Sequence, residues 1–298
     1  MSDGVEETAD GRVPVVSVVC PCLNSADTLA VQLDALSAQA CDVPWEMIVV
    51  DDGSTDGTQA LAWSYCDRLP QLRVLETDVV RSQGDGVNAA VRAARGRHIV
   101  VVHGDDEVAP GYLQAMHLAL EEHPVVGAVL DHEALNPPWT RVVHAPMQVD
   151  ELSVINDFLP VIVGAALGIR KEVFEAVGGF DPASDPLIDV DLSWRLQLAG
   201  YPLTLARDAV LRYRYRDGFR STYRQKRNYA TADVYLALRY FGAGAPRRGM
   251  RTALDGWYHV FRTFLQIRDR RSAMLFADLL GGAVGRLRGS VRYGYLNL

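Results

Sequence analysis

The chain has no apolar run long enough to span a bilayer. Nor do its first residues read as a secretory start. Met1 to Gly11 is acidic and polar, the opposite of a signal peptide, so the expectation is a protein made and kept in the cytoplasm. Cysteine is sparse: Cys20, Cys22, Cys41 and Cys66 form no C-x-x-C pair, which argues for reduced structural thiols and against a zinc site. Lysine is nearly absent, with arginine supplying almost all positive charge, and no functional weight is placed on that. No internal repeat, low-complexity segment or nucleic-acid-binding motif is present. There is no Gly-rich, Lys/Arg-containing phosphate loop near the N-terminus, which argues against a nucleotidyltransferase.

What is present is a 298-residue chain, 49% hydrophobic, enough for one large domain or two smaller ones. Its charge is uneven. Residues 1–194 hold 10 Lys+Arg against 31 Asp+Glu, and residues 195–298 hold 20 against 6. A basic segment behind an acidic domain suits an anionic partner such as phosphate groups or a membrane surface.

Short apolar runs alternate with helical patterns. Strands are expected at Val15 to Cys20 (ended by Pro21), Glu46 to Val50, Leu72 to Leu75, His98 to Val102 and Val125 to Leu130. Helices are expected from Asn24 or Ser25 to Gln39, from Thr58 to Leu69, from a loop at Gly84 to Ala94, and from Pro110 to Glu122. This alternation implies an α/β fold, Rossmann-like, with a mainly parallel sheet and helices on both faces. Residues 131–160 look irregular. Short helices follow at Arg170 to Val177 and Asp189 to Ala199, then a last strand over Val210 to Tyr215. From Phe219 the pattern is helical, broken near Gly242 to Pro246.

Acids gather at strand ends: Asp51 and Asp52, then Asp105, Asp106 and Glu107, then Asp189 and Asp191. Alone, the first group also fits an Asx turn and the second a helix N-terminal charge complement. Their recurrence at strand ends places them on one edge of a parallel sheet, where open α/β sheets bind ligands. Carboxylates there suit a divalent cation, and the cation suits a phosphate.

These residues carry a resemblance. Val16-Ser17-Val18-Val19-Cys20-Pro21-Cys22-Leu23-Asn24, Val49-Val50-Asp51-Asp52-Gly53-Ser54-Thr55-Asp56-Gly57-Thr58, Gly84-Asp85-Gly86-Val87-Asn88, Val101-Val102-His103-Gly104-Asp105-Asp106, Val177-Gly178-Gly179-Phe180-Asp181 and Asp189-Val190-Asp191-Leu192-Ser193-Trp194-Arg195 together resemble the ordered signatures of family 2 glycosyltransferases, which have the GT-A fold. The resemblance covers residues 15 to about 215. It implies an inverting transfer from a nucleoside diphosphate sugar to a hydroxyl acceptor. Asp52 would hold the nucleobase with Pro21 and Asn24 nearby. Asp85, Asn88, His103 and Gly104 would line the donor pocket. Asp105, with Asp106 beside it, would hold Mn²⁺ or Mg²⁺. Asp189 would be the base, with Asp191, Trp194 and Arg195 as its shell or acceptor contacts.

The sequence departs from that pattern in three places. His103 stands where the family has the first Asp of Asp-x-Asp. Ile188 replaces a frequent Glu before the base, leaving a less polar surrounding that would raise its pKa. A late metal-binding His is missing, and Arg212 and Arg214 near that place suit a diphosphate instead. His103 and Ile188 also motivate an alternative, a degenerate family member that binds nucleotide or glycan without catalysis. The resulting division is a tail over 1–12, expected to be disordered, a catalytic domain over 13–217 (donor half 13–106, acceptor half 107–217), and a helical, basic region over 218–298. Amphipathic patterns in that last region suit an anionic membrane at the inner face of the plasma membrane, packing against the catalytic domain, or a homodimer.

Overall fold

Val18, Val19, Ile48, Val49, Val50, Ile99, Val100 and Val101 are all buried, as strands of a parallel sheet covered on both faces must be. The computed structural model describes residues 13–69, 71–76 and 82–297, so the tail over 1–12 lies outside the described residues. In chain order the elements are β1 (Val16–Cys22), α1 (Ala26–Ser37), β2 (Trp45–Asp51), α2 (Thr58–Trp63), β3 (Leu72–Glu76), α3 (Gln83–Ala93), β4 (His98–Val101), β5 (Glu107–Val108), α4 (Tyr112–Glu122), β6 (Val125–Asp131), α5 (Thr140–Val143), β7 (Ser153–Ile155), β8 (Leu159–Val161), β9 (Leu167–Arg170), α6 (Lys171–Ala176), α7 (Ile188–Leu198), β10 (Thr204–Arg212), α8 (Phe219–Arg239), α9 (Met250–Leu265) and α10 (Arg270–Tyr293). No helix among the described residues is long and apolar enough to cross a membrane.

The main sheet has 8 strands in the order β3-β2-β1-β4-β9-β6-β10-β5. β9 runs antiparallel between β4 and β6, and β5 runs antiparallel to β10; the other ladders are parallel. One face is covered by Leu29, Leu33 and Leu36 of α1 and by Leu113, Met116 and Leu120 of α4. The other is covered by Val87 and Val91 of α3, Val173 and Phe174 of α6, and Leu192 and Leu196 of α7. The expected α/β, mainly parallel architecture with helices on both faces and a helical C-terminus is what forms.

β1 does not stop at Pro21 as expected; it runs on to Cys22. The reason is which way Pro21 faces. In a parallel strand successive backbone groups point to opposite neighbours. Cys22 O accepts from Asp52 N on the β2 side, and Val19 O accepts from Val102 N on the β4 side, so Pro21 faces β4. The β1–β4 ladder ends at Val19 and Val101, so the missing N–H of proline costs no ladder bond. β10 also differs: it begins at Thr204, bulges between Ala206 and Val210, and ends at Arg212. Tyr213 to Arg216 therefore lie beyond the sheet edge.

The C-terminal helices are locked by close backbone contact. Gly281, Gly285 and Gly289 of α10 recur every fourth residue, and so do the α8 carbonyls they face, at Tyr223, Arg227 and Thr231. A Cβ on Gly285 would stand 2.3 Å from the Arg227 carbonyl oxygen. Thr231 Oγ1 adds a hydrogen bond to Gly285 O at 3.1 Å. Leu236 of α8 and Tyr240, just past its end, in turn pack against Trp194 and Val190 of α7.

Candidate active site

The carboxyl ends of β1, β2, β4 and β10 open into one cleft of ≈ 540 Å³. Pro21, Asp52, His103, Gly104, Asp105, Asp189 and Arg214 line it. The remaining anticipated residues lie elsewhere, and each has an identifiable reason.

Asp52 projects from the turn after β2. Its Oδ1 is buried with no hydrogen-bond partner. Gly86 of α3 faces it so closely that a Cβ there would stand 2.9 Å from that oxygen. Burial, then the charges of Asp51 and Asp85, push the Asp52 carboxyl up to about 6. The Asx-turn alternative applies to its neighbour: the Asp51 carboxylate accepts the Ser54 N–H at 3.3 Å. Asn24 stays outside the cleft and clamps the same loop, donating its N–H to Ser54 Oγ at 2.8 Å and accepting the Thr55 N–H at 3.0 Å.

The elevated pKa makes a stability prediction with a definite sign. Ionising Asp52 costs the folded chain more than the unfolded chain. The penalty is absent well below pH 3.8 and complete above about 6. Asp52→Asn is therefore expected to raise Tm at pH 7.5, with the gain fading as pH falls toward 4. Tm measured against pH for both proteins tests this; a gain that grows on acidification would contradict it.

α3 begins directly at Gln83, without the expected loop. Ser82 Oγ accepts the Asp85 N–H at 3.2 Å and donates to Asp85 Oδ2 at 3.1 Å. Asp85 is thus held in a cap rather than lining the cleft. Asn88 spends both ends of its amide on the Phe180 backbone, donating to Phe180 O at 2.8 Å and accepting from Phe180 N at 2.9 Å. Neither residue reaches the cavity, a correction to their anticipated donor-pocket placement.

After β4, His103, Asp105 and Asp106 bring one ligand atom each within 4.8 Å of one another. Burial holds His103 below its ordinary pKa, with Asp105 and Asp189 pulling the other way. It is neutral at pH 7, and its Nε2 lies 2.9 Å from the Gln83 amide nitrogen. Asp106 lies beneath the cleft floor. Its Oδ1 accepts the Arg214 N–H at 2.8 Å, while its Oδ2 is buried and unpartnered. Burial and then Asp105 raise its pKa well above the carboxylate range. Glu107 is not part of the group, because it pairs with Arg212. That pair turns Arg212 away from the cleft, correcting its anticipated role on a diphosphate. Arg214 does line the cavity, and its Nε also donates to Asp105 O at 2.8 Å.

Asp189 stands in the first turn of α7. Gly164 N–H donates to its Oδ2 at 3.0 Å and Val190 N–H to its Oδ1 at 2.9 Å. A Cβ on Gly164 would come 3.3 Å from Asp189 Cβ. Burial pushes the Asp189 pKa up, opposed by those two N–H groups and by His103. Ile188 beside it is buried in the core.

Asp191, Trp194 and Arg195 lie behind Asp189, away from the cleft. Fully buried Asp191 accepts from Arg195 Nε at 2.7 Å and from Tyr240 Oη at 2.7 Å. Arg195 also donates to Val177 O at 2.6 Å and Gly179 O at 2.7 Å. Trp194 Nε1 donates to Leu159 O at 3.2 Å. These residues fasten α7 to α8 and to the turn after α6; their side chains are closed to an acceptor.

Several further residues line the cleft without having been assigned a site role from sequence: Gln83, Asp185, Tyr215, Arg216 and, on α8, Gln225 and Tyr229; Tyr213, which stands with Arg212 near the place of the missing late His, lines it too. Arg216 continues the spacing of Arg212 and Arg214, beyond the end of β10 at Arg212. Burial raises the pKa of Tyr213, and Tyr229 Oη accepts from Gln225 Nε2 at 3.4 Å.

A family model described as Glycosyl transferase family 2 matches residues 17–178. The chain belongs to this family. Within and around it, the succinoglycan biosynthesis protein ExoO of Rhizobium meliloti is 41% identical over 105 residues, 35% of this chain and 29% of that protein. The validoxylamine A glucosyltransferase of Streptomyces hygroscopicus is 28% identical over 235 residues, 67% of this chain and 56% of that protein. The chain thus spans less than two thirds of these curated relatives. Among solved structures, a mannosyltransferase from Pyrobaculum calidifontis in complex with GDP-Man and Mn²⁺ matches with TM-score 0.61 and 20% identity, over 94% of this chain and 89% of that one. S. aureus TarS 1-349 in complex with UDP-GlcNAc matches with TM-score 0.57 and 19% identity, over 94% and 92%. The family's GT-A fold is shared across nearly the whole chain.

Proposed function

We propose that the protein is an inverting glycosyltransferase that moves a sugar from a nucleoside diphosphate sugar to a hydroxyl acceptor. The observation that carries this reading is one cleft lined by Asp52, Asp105 and Asp189, from three distant chain segments. Its volume of ≈ 540 Å³ suits a small-molecule donor. Solved relatives of the fold hold GDP-Man or UDP-GlcNAc. The acceptor class is a cell-envelope glycan, a lipid-linked sugar or a natural product, and the match to a succinoglycan biosynthesis protein favours the first.

Each residue has a chemical task. Asp52 has an unpartnered buried oxygen and accepts an N–H from the nucleobase. Arg214 and Arg216 face the diphosphate with charge-assisted hydrogen bonds. Asp189 takes the proton from the acceptor hydroxyl while that oxygen bonds to the anomeric carbon and the carbon–diphosphate bond breaks. One base and one displacement give inversion; retention through a double displacement would need a second, nucleophilic carboxylate. Buried Asp106 Oδ2 beside Asp105 and neutral His103 form a donor set that fits Mn²⁺ or Mg²⁺. When bound, the metal neutralises charge on the leaving diphosphate. Retention of Asp52, Asp105 and Asp189 in one cleft weighs against a non-catalytic role.

Thermal shift against a panel of nucleoside diphosphates and their sugars, with and without Mn²⁺ or Mg²⁺, tests the reading. One nucleotide family is expected to raise Tm, and metal is expected to enlarge the shift. If no nucleoside diphosphate stabilises the protein, the assignment fails.

A further inference from the structure

Helix α9 is built the opposite way from a helix that serves a core. Its buried positions are small or short, Val260 and Thr263, with Ala253 and Gly256 half-buried, and this side packs on α10. Its large apolar residues point outward. Met250, Leu254, Trp257, Tyr258, Phe261, Phe264 and Leu265 are 42–66% exposed. At 100° per residue they fall in one continuous stripe next to the buried side. Arg251, Thr252, Asp255, His259, Arg262 and Gln266 fill the remaining third of the helix. This is far more contiguous apolar surface than scattered exposed residues provide, and such a patch marks an interaction site.

Charge identifies the occupant. Residues 247–271 carry seven arginines against two aspartates. Arg251 and Arg262 border the apolar stripe, and Arg251, Arg262 and Arg268 are exposed with no ion pair among the described residues. A second copy docked stripe to stripe would bring these like charges together. An anionic bilayer complements both features: acyl chains take the leucine and phenylalanine side chains, lipid phosphates take the arginines, and Trp257 and Tyr258 suit the headgroup boundary.

We infer that α9 lies in the surface of an anionic lipid bilayer, with its Leu254–Leu265 stripe inserted and Arg251 and Arg262 on the headgroups. This goes beyond the transfer reaction and stands independently of it. The helix serves as a surface anchor, and no helix among the described residues spans the membrane.

The test is sedimentation of the full chain with vesicles of mixed phosphatidylglycerol and phosphatidylcholine, against pure phosphatidylcholine. Binding is expected only to the anionic vesicles and should weaken as salt rises. The triple variant Leu254→Gln, Phe261→Gln, Leu265→Gln, all exposed positions, should keep its Tm and lose about tenfold or more in vesicle affinity. Arg251→Gln with Arg262→Gln should flatten the salt dependence. No binding to anionic vesicles, or equal binding by the triple variant, overturns the inference. A wild-type dimer in light scattering that the triple variant abolishes, without vesicle binding, also overturns it and assigns the stripe to a second copy. Because the readout needs no donor, acceptor or metal, failure here leaves the transferase reading untouched.

Discussion

Asp189→Asn is expected to lower kcat by a factor on the order of 10²–10⁴, the span a positioned general base contributes. Donor affinity, measured by calorimetry with metal present, should stay near wild type, because Asp52, Asp105 and Arg214 are untouched. The substitution is nearly isosteric but not silent. Asp189 offers one oxygen to Gly164 N–H and the other to Val190 N–H. Asparagine has one oxygen for two donors, so one hydrogen bond is lost, worth about 1 kcal/mol. A small fall in Tm with a large fall in turnover is the expected pair. The pH profile adds a second readout. Burial raises the Asp189 pKa, so wild-type activity should fall as pH drops through that elevated value and the base protonates. The residual activity of the variant should lack that limb. Turnover close to wild type would remove Asp189 from the base role.

Gly285→Val should be the most damaging single change to stability outside the sheet. Backbone carbonyls cannot swing aside as side-chain ends do, and the Arg227 oxygen is 2.3 Å from where the new Cβ would sit. Overpacking of this kind costs up to ~3 kcal/mol, and more if α10 must separate from α8. For a domain of this size that is a fall in Tm of roughly 6–12 °C. Gly282 supplies the control on the same helix: its nearest neighbour is the flexible end of Arg286 at 3.7 Å. Gly282→Ala should be neutral or stabilising by up to ~1 kcal/mol, since alanine is the better helix former. Equal Tm losses for the two variants would show that the close approach of α8 to Gly285 does not set the effect. Gly285→Val should also impair the cleft, because α8 carries Gln225 and Tyr229 into it.

The acidic strand ends that line this cleft were legible in the sequence, and the reason is local. Asp52 directly follows β2 and His103 and Asp105 lie in the turn after β4, and a strand's end in a parallel sheet fixes where the next side chains emerge. The rest depends on partners far along the chain. Asn88 looks like a pocket residue until Phe180 occupies its amide. Arg212 and Arg214 sit two apart on one strand pattern, yet Glu107 claims the first and Asp105 and Asp106 hold the second. Asp191 and Arg195 carry a family signature, but Asp191 meets Tyr240, 49 residues further on, and Arg195 meets Asp191 and the carbonyls of Val177 and Gly179. Tyr229 and Gln225 could not be placed without the glycine seam that sets the rotation of α8. The run Val161 to Ile169 reads from its residues as a strand or a buried segment, since small and apolar residues without periodicity fit both; what it does not show is that only Leu167–Arg170 pairs, as the antiparallel strand β9.

That strand bears on how the protein is made. β4 and β6 are synthesised early, but their common neighbour β9 begins only at Leu167. At 5–20 residues per second, roughly 3–13 s pass between the end of β4 and the start of β9. During that interval the nascent chain carries the unfilled edge Ile99–Val101, joined by Val125–Gly127 once β6 is made, each apolar and able to pair with a neighbouring chain on the same messenger. Slow translation or a pause before residue 167 would therefore be expected to lower soluble yield more than the same pause placed after residue 170.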